Sequence, residues 1–385
     1  MYKNSFLEDK TNLLYGNGQL AQLGDVLCQR SLSKVLIVTD PGIVQAGIVE
    51  RVVSSLAKHG VQHAIFDEVE PNPSLQTAEL VATVYQEERC EGLVAVGGGS
   101  PMDAAKGGGI LITNDGQLRD FADGGDIADI PNALPPLVAI PTTVGTGSEV
   151  TKFAALTDYD DYQKILFTGD VLVPTVGILD PELIYPLPAH IVAATGMDAL
   201  THAIEVILSV LAAPESDALA VEAIGLITHY LPIAVCAEPS SEEGQAARGQ
   251  MLYASTLAAL GLNTAFAGLV HGMSHPMTDY AGVPHGLANA LLLKDVLMFN
   301  APACAPALAR IARAMGKGDQ PEAVIEVVQQ LQATLQLPSR LSEVGVTEQL
   351  IPYMAQDAFE SGNAQIINPR KPTLEEITTL YQQCL

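Results

Sequence analysis

The 385-residue sequence predicts an α/β domain with a parallel sheet, followed by an all-helical domain. Up to about residue 187, short runs of β-branched residues alternate with segments of helical periodicity. This alternation is typical of a parallel sheet with helices on both faces. Beyond residue 187 only long Ala- and Leu-rich helical stretches follow. We therefore predict an α/β domain over 1–187 and a helical domain over 188–385.

The predicted elements follow from local pattern. Apolar runs predict strands at 34–40, 63–69, 92–100 and 136–143, with helices between them at 45–60 and 75–90. In the second half the periodicity predicts helices at 189–213, 215–235, 242–260, 286–300, 303–316 and 319–335. Parallel strands bring their carboxyl ends to one edge, where ligands bind in open α/β folds.

Charge and cysteine content narrow the class of protein. The net charge of −25 argues against nucleic acid and anionic membranes as partners. The five cysteines show no C-x-x-C spacing, which favours reduced thiols in the cytoplasm. No secretory apolar segment and no run of about 18 uncharged apolar residues is evident. We expect a soluble cytoplasmic protein.

Two polar loops follow predicted strands. In "VAVGGGSPMDAAK" (94–106), Ser100 and Pro101 suit the N-cap and first position of a helix, and Asp103 completes a capping-box spacing. The glycines and the helix start favour a bound phosphate, although a plain strand–helix turn fits equally well. The second loop, "PTTVGTGSE" (141–149), supplies hydroxyls and backbone access. Together they predict a nucleotide pyrophosphate site.

Two further features concern the nucleotide. Asp40 ends a predicted strand and is expected to bind the ribose hydroxyls of NAD while repelling the extra phosphate of NADP. Its alternative role is that of a turn-forming residue before Pro-Gly. The "GNGQLA" stretch (16–21) resembles a dinucleotide-binding motif, but no clear strand precedes it and the usual acid is missing. We interpret it as a turn that starts a helix.

Acidic and imidazole side chains recur at helical spacing. Asp198 and His202 lie four residues apart in "GMDALTHAIE", as do His271 and His275 in "GLVHGMSHPM". His285 lies between Pro and Gly at a predicted helix start. These groups suit a divalent transition metal, with scattered core histidines as the alternative.

Five motifs in order resemble the iron-containing, or group III, alcohol dehydrogenases: "GGGSPMDAAK", "PTTVGTGSEV", "GMDALTHAIE", "GLVHGMSHPM" and "PHG". The resemblance covers almost the whole chain. It implies a Rossmann-like nucleotide-binding domain, a helical C-terminal domain and a cleft between them, in a dehydroquinate-synthase-like architecture.

The resemblance also implies residue roles. Carried over position by position, the metal ligands fall on Asp198, His202, His271 and His285. The NAD contacts fall on Asp40, Asn72, Gly98, Gly99, Ser100, Asp103, Thr142, Thr143, Thr146 and Lys164. His275 matches a histidine linked to proton relay, and Phe153 and Leu262 are expected near the substrate, with Phe266 and Lys152 close by.

The implied reaction is NAD(H)-dependent oxidation of a small primary alcohol or diol, with hydride transfer to nicotinamide from an alkoxide bound to Fe(II). Zn(II) is the alternative metal. Hydroxy acids of the 4-hydroxybutyrate type and phosphonoacetaldehyde are alternative substrates. A nucleotide-binding scaffold without catalysis is a further alternative. We expect a homodimer or larger homo-oligomer.

Overall fold

The computed structural model describes residues 11–123, 125, 129–160, 163–361 and 363–385. The chain divides into two compact units. The first comprises Met1–Thr143 and Ser148–Ile184, and the second comprises Val144–Gly147 and Tyr185–Leu385. The short segment 144–147 therefore clusters with the second unit, although it lies in sequence within the first.

The first unit is built on a parallel sheet. The strands are Asn12–Tyr15 (β1), Lys34–Val38 (β2), Gln62–Phe66 (β3), Gly92–Gly97 (β4), Leu137–Pro141 (β5), Phe153–Asp158 (β6), Gln163–Thr168 (β7) and Val176–Leu179 (β8). Six of them form one sheet in the order β1-β8-β5-β4-β2-β3, and β6 pairs with β7 antiparallel. The strand order reverses between β2 and β4, which is where ligands bind in such sheets. The four predicted strands are confirmed, and β1, β6, β7 and β8 were not predicted.

The helices of the first unit are Leu23–Gln29 (α1), Pro41–Gln45 (α2), Ile48–Ala57 (α3), Leu75–Glu87 (α4) and Gly99–Thr113 (α5). The prediction of a single helix over 45–60 is wrong at its start, where α2 ends and α3 begins. Gly47 has a φ of 71°, in the left-handed region, and it separates α2 from α3. The helix predicted at 75–90 corresponds to α4.

The "GNGQLA" stretch is a turn that starts a short 3-10 helix, Gln19–Gln22, as predicted. The expectation that no strand precedes this stretch is wrong, because β1 ends at Tyr15. The backbone N–H groups of Gly18 and Leu20 donate to the Asp180 carboxylate, each at 3.0 Å. A protein carboxylate therefore takes up the N–H groups that a phosphate would use in a dinucleotide-binding turn.

The second unit is helical throughout the part of it that the structure describes. Its α-helices are Ala189–Leu208 (α6), Pro214–Cys236 (α7), Glu242–Ala265 (α8), Leu269–Ala281 (α9), His285–Ala314 (α10), Glu322–Thr334 (α11), Ile351–Glu360 (α12), Asn363–Ile366 (α13) and Leu374–Cys384 (α14). The two helices predicted at 286–300 and 303–316 lie in α10, with non-helical backbone at Cys304.

The sequence shows no run of about 18 uncharged apolar residues, but some of the described helices are long and apolar enough, by length and composition, to cross a membrane. Helices α6, α7 and α10 meet both criteria, and the bent pair α8 and α9 meets them jointly. In α6 the apolar composition reflects packing inside the fold, since 83% of its most apolar window is buried. The corresponding windows of α7 and α10 are 33% and 44% buried.

Candidate metal and cofactor sites

Three imidazoles face one carboxylate oxygen in the second unit. The Nε2 atoms of His202, His271 and His285 lie 3.7, 3.8 and 3.7 Å from Oδ1 of Asp198. Asp198 and His202 are one turn apart on α6, as predicted from their spacing. Ligand atoms of Asp198, His202 and His271 all lie within 4.8 Å of one another, and all three residues are buried. Such a cluster could hold a metal ion.

The start of α10 reaches this cluster because of a glycine. His285 is the first residue of α10, in agreement with its predicted place at a helix start. A Cβ at Gly286 would lie 2.5 Å from the Ala194 carbonyl oxygen and 3.2 Å from Cβ of Asp198. Only glycine allows so close an approach of α10 to α6. The "PHG" motif thus delivers His285 to Asp198.

Burial and neighbouring charges act in opposite directions on the pKa values of this cluster. Burial alone would raise the pKa of Asp198, but the imidazoles of His202 and His285 hold it well below its usual range. Burial would lower the pKa of His271, yet the Glu205 and Asp198 carboxylates raise it to about 9. Burial lowers the pKa of His202 by more than Asp198 raises it. The carboxylates of Glu205 and Asp198 therefore favour a protonated His271, whereas burial favours a neutral His202.

Asn289 lies on α10, one turn after His285, and was not predicted as a site residue. Its Nδ2 donates to Asp198 Oδ1 at 2.7 Å and lies 3.1 and 3.2 Å from the Nε2 atoms of His271 and His285. One amide nitrogen therefore faces three atoms that could bind a cation. Among the described residues, buried Nδ1 of His202 and Oδ1 of Asn289 have no hydrogen-bond partner. This polar, buried donor set fits a divalent cation.

His275, the predicted proton-relay residue, borders the cluster. Its ring centroid lies 5.3 Å from that of His285 and 6.3 Å from that of His271. It is partly exposed, whereas His202 and His271 are buried. The structure thus brings His275 beside the cluster but leaves its imidazole outside the group that faces Asp198 most closely.

Some of the predicted nucleotide residues lie where β2, β4 and β5 end. Asp40 follows β2, and a Cβ at Gly97 would lie 3.2 Å from its Oδ2. A Cβ at Gly98, after β4, would lie 3.1 Å from Cγ2 of Thr143, after β5. The buried Thr142 hydroxyl has no hydrogen-bond partner among the described residues. The edge thus has glycine backbone, an acid and a hydroxyl that a nucleotide could engage.

Asp40 also caps a helix. Its carboxylate accepts a hydrogen bond from the Ile43 N–H at 3.0 Å at the start of α2, where Pro41 occupies the first turn. Burial raises the pKa of Asp40, although the N–H groups of Ile43 and Gly42 partly oppose this. The alternative role as a turn-forming residue is therefore present in the structure. The helix cap uses Oδ1 of Asp40, so its Oδ2 faces the glycine loop that follows β4.

The predicted capping of α5 is wrong. The helix begins at Gly99 with Gly98 as N-cap, and no side chain caps it. Ser100 and Pro101 lie inside the first turn, because three successive glycines let the chain enter the helix earlier. Asp103 does not complete a capping box. Its Oδ1 accepts from the Ser148 hydroxyl at 2.9 Å and its Oδ2 from the Ala155 N–H at 3.2 Å.

Lys106 forms a buried network with Asp103. Its ammonium donates to Ser148 Oγ, to the carbonyl and hydroxyl oxygens of Thr151, and to the Phe153 carbonyl, at 2.8–3.2 Å. Burial lowers its pKa to about 8, although the Asp103 and Glu149 charges oppose this. Burial raises the pKa of Asp103, while the charge of Lys106 lowers it. This network joins α5 to the chain before β6.

Asn72 and Lys164 also come together. The Lys164 ammonium lies 3.5 Å from Asn72 Oδ1 and 3.2 Å from the Thr157 hydroxyl. Asn72 has a φ of 56°, a left-handed conformation that is uncommon outside glycine. Thr146 lies in the segment 144–147, which clusters with the second unit.

The predicted substrate residues are distributed over both units. Phe153 begins β6 and is partly buried, and the Lys152 ammonium lies 5.9 Å from the centroid of its ring. Leu262 is 6% exposed near the end of α8. Phe266 follows α8 with a φ of 59° and a ψ of 173°, a region that is essentially restricted to glycine.

Comparison with known proteins identifies the family. Residues 10–181 match the family model described as iron-containing alcohol dehydrogenase. Residues 192–385 match the C-terminal model of the Fe-containing alcohol dehydrogenase family. The chain belongs to the iron-containing alcohol dehydrogenase family. It is an oxidoreductase, and the resemblance seen in the motifs is confirmed together with the fold class.

Individual members of the iron-containing alcohol dehydrogenases match along their whole length. The 1,3-propanediol dehydrogenase of Klebsiella pneumoniae is 39% identical, with 96% of each chain covered. The crystal structure of a 1,3-propanediol oxidoreductase matches with a TM-score of 0.92, 38% identity and 98% of each chain covered. A sulfoacetaldehyde reductase from Bifidobacterium kashiwanohense, solved with NAD+, has a TM-score of 0.87 and 31% identity, with 97% and 96% covered.

Proposed function

We propose that this protein interconverts a small primary alcohol or diol and its aldehyde, using NAD(H) and Fe(II). The observation that carries the proposal is the set of three imidazole nitrogens 3.7–3.8 Å from one oxygen of buried Asp198. Histidines with a purely structural role would not need to be grouped around one carboxylate. The similarity to a 1,3-propanediol dehydrogenase supports a small diol as substrate.

The metal ligands that we propose are Asp198, His202, His271 and His285. A divalent ion held by these four groups supplies a Lewis acid for the oxygen of the alcohol or aldehyde. The family favours Fe(II) as this ion, and the same imidazole and carboxylate ligands would also hold Zn(II). The protein's own contribution is to keep the four groups converging, with Asp198, His202 and His271 buried.

The cofactor that we propose is NAD, bound at the reversal of strand order between β2 and β4. The uncapped N–H groups at Gly99 and Ser100 would bind the pyrophosphate, and Asp40 would accept hydrogen bonds from the ribose hydroxyls. The nicotinamide ring of NAD supplies the hydride acceptor. Further contacts are proposed for Gly98, Asn72, Asp103, Thr142, Thr143, Thr146 and Lys164.

Proton transfer and exclusion of water fall to other side chains. The imidazole of His275 can take the hydroxyl proton of the alcohol and release it to water, since imidazole exchanges protons near neutral pH. The apolar side chains of Phe153 and Leu262 would contact the carbon chain of the substrate. A small substrate needs few polar contacts beyond the reacting oxygen, which agrees with two apolar residues.

An anionic aldehyde is the second candidate substrate. The ammonium of Lys152 lies 5.9 Å from the ring of Phe153, so a positive charge adjoins a proposed substrate residue. The similarity to a sulfoacetaldehyde reductase supports a sulfonate, phosphonate or carboxylate on the aldehyde. A Lys152→Met variant separates the two candidates, because it would raise KM only for an anionic substrate.

We also propose an oligomeric state, a location and the absence of two classes of partner. The resemblance supports a homodimer or larger homo-oligomer in the cytoplasm, without nucleic acid or membrane partners. The net charge of −25 supports the absence of nucleic acid and anionic membranes as partners.

The test is aldehyde-dependent oxidation of NADH by the purified protein loaded with Fe(II) under anaerobic conditions. The panel comprises 3-hydroxypropanal, lactaldehyde, glycolaldehyde, butanal, succinic semialdehyde and sulfoacetaldehyde. We expect the highest kcat/KM with an uncharged hydroxyaldehyde. A clear preference for the charged aldehydes would favour the second candidate, and no turnover with any aldehyde would contradict the proposed reaction.

A further inference from the structure

Glu205 lies directly behind the proposed metal centre on the same helix as two of its ligands. It follows Asp198 by seven residues and His202 by three on α6, so all three share one helical face. It is 4% exposed. We infer that Glu205 is a positioning residue of the metal centre that acts through His271. This inference rests on the proposed metal site and assigns a residue outside the ligand set.

The carboxylate of Glu205 is fully engaged by the start of α9. Its Oε2 accepts from the Gly268 N–H at 3.0 Å and lies 2.5 Å from Nδ1 of His271. Its Oε1 accepts from the Val270 N–H at 2.7 Å. A carboxylate can only accept, so Nδ1 of His271 donates. Since Nδ1 keeps its proton, Nε2, the atom that faces Asp198, is the nitrogen that could present a lone pair to a metal ion.

The same carboxylate anchors the connection between α8 and α9. Phe266 in this connection has a backbone conformation that is costly for any residue but glycine. Before it, the Ala265 carbonyl accepts from the Ser209 hydroxyl at 2.6 Å. After it, Gly268 and Val270 donate to Glu205. Ser209 and Glu205 therefore both hold the connection, but only Glu205 contacts the imidazole of His271.

This difference supplies a matched control. Glu205→Gln retains the length of the side chain and removes its charge, so it weakens the hydrogen bond to His271. Ser209→Ala also loosens the connection between α8 and α9, but Ser209 does not contact His271. Each full-length protein is stripped with chelator, and its dissociation constant for Zn(II) or Co(II) is measured by chelator competition. The absorption spectrum of the Co(II) form reports the ligand geometry.

We expect E205Q to bind metal about 10–100-fold more weakly than wild type and to alter the Co(II) spectrum. S209A should bind metal as wild type does. Equal affinity of E205Q and wild type would overturn the inference. An equal loss in both variants would assign the effect to the connection and would also overturn it.

Two further outcomes are distinguishable from these. Absence of metal binding by the wild type would overturn the proposed metal site itself, and the inference with it. Circular dichroism establishes whether each variant is folded. If E205Q does not fold, Glu205→Asp retains the charge but withdraws it by one methylene group, and wild-type metal affinity of that variant would overturn the inference.

Discussion

At the scale of single residues, one oxygen of Asp198 faces three imidazole nitrogens and one amide nitrogen. A buried carboxylate without partners would be costly, because its charge would lack compensation. Here the Asn289 amide and the imidazoles supply that compensation in the protein alone. A cation would supply more of it, since it interacts with the carboxylate and with the nitrogen lone pairs at once.

Asp40 can be tested for its part in cofactor choice. Asp40→Asn removes the charge but retains an acceptor for the Ile43 N–H, so the cap of α2 should persist. We expect kcat/KM with NADPH to rise relative to NADH by about tenfold or more, which corresponds to about 1.4 kcal/mol. Steady-state kinetics with both cofactors measures this ratio.

The stability of the Asp40→Asn variant shows whether the helix cap is retained. Since Asn and Asp are similar N-caps, its melting temperature should stay close to that of wild type. An unchanged ratio of NADPH to NADH use would remove Asp40 from the cofactor site and leave it as a helix cap.

At the scale of elements, the position of the site residues depends on how helices begin and connect. The starts of α9 and α10 bring His271 and His285 to α6, the first through the hydrogen bonds of Glu205 and the second through Gly286. In the first unit, Lys106 joins α5 to the segment that precedes β6. Glu205, Gly286 and Lys106 make these contacts. All three lie within the quoted motifs, but sequence pattern alone assigned them no role.

Sequence pattern predicted elements well where the local signal is strong. Strand β4 is buried along its whole length, so it forms an apolar run that ends in glycine. Strand β1, at the sheet edge, has four residues with two exposed, and such a strand shows no clear run. The start of α5 was misplaced because Ser100 resembles an N-cap, whereas the glycines before it already fit the helix start.

Part of the site was also predictable. Glu205 has helical spacing from Asp198 and His202, and Asn289 follows His285 by four residues, so a periodic signal for both was present. Their contacts were not predictable from that spacing. The hydrogen bond of Asn289 to Asp198 joins residues 91 apart, and that of Glu205 with His271 joins residues 66 apart. Packing of different helices, rather than local pattern, determines these contacts.

Lys106 gives a pH-dependent prediction. Its pKa is about 8 in the folded protein and 10.5 as an ordinary lysine. Between these values the unfolded chain binds more protons, so the folded state gains stability as pH rises. We expect the free energy of unfolding of wild type to rise relative to Lys106→Met across that window, by at most about 3 kcal/mol at about 1.4 kcal/mol per pKa unit.

Denaturant unfolding at several pH values measures this difference. Lys58→Met, which removes an exposed lysine of the same unit, is the matched control. Parallel pH profiles of wild type and the Lys106 variant would contradict the prediction.

At the scale of the whole molecule, two compact units carry different parts of the chemistry. The first presents glycine backbone and polar groups at the strand ends of a parallel sheet, and the second collects a carboxylate and imidazoles on helices. Both units match models of the iron-containing alcohol dehydrogenase family, which supports the proposal that both contribute to one reaction. The relatives described above differ in the substrate that they are named for, and we propose that Phe153, Leu262 and Lys152 determine it in this protein.

The most direct test of the proposed metal-dependent reaction is metal removal and return. Wild type and His271→Ala are stripped with chelator and titrated anaerobically with Fe(II), while bound metal and NADH-dependent aldehyde reduction are measured in the same samples. We expect wild-type activity to vanish on stripping and return as about one ion per chain binds, while the variant neither retains metal nor regains activity. Full activity of the stripped wild type, or of the metal-free variant, would contradict the proposed role of these four residues.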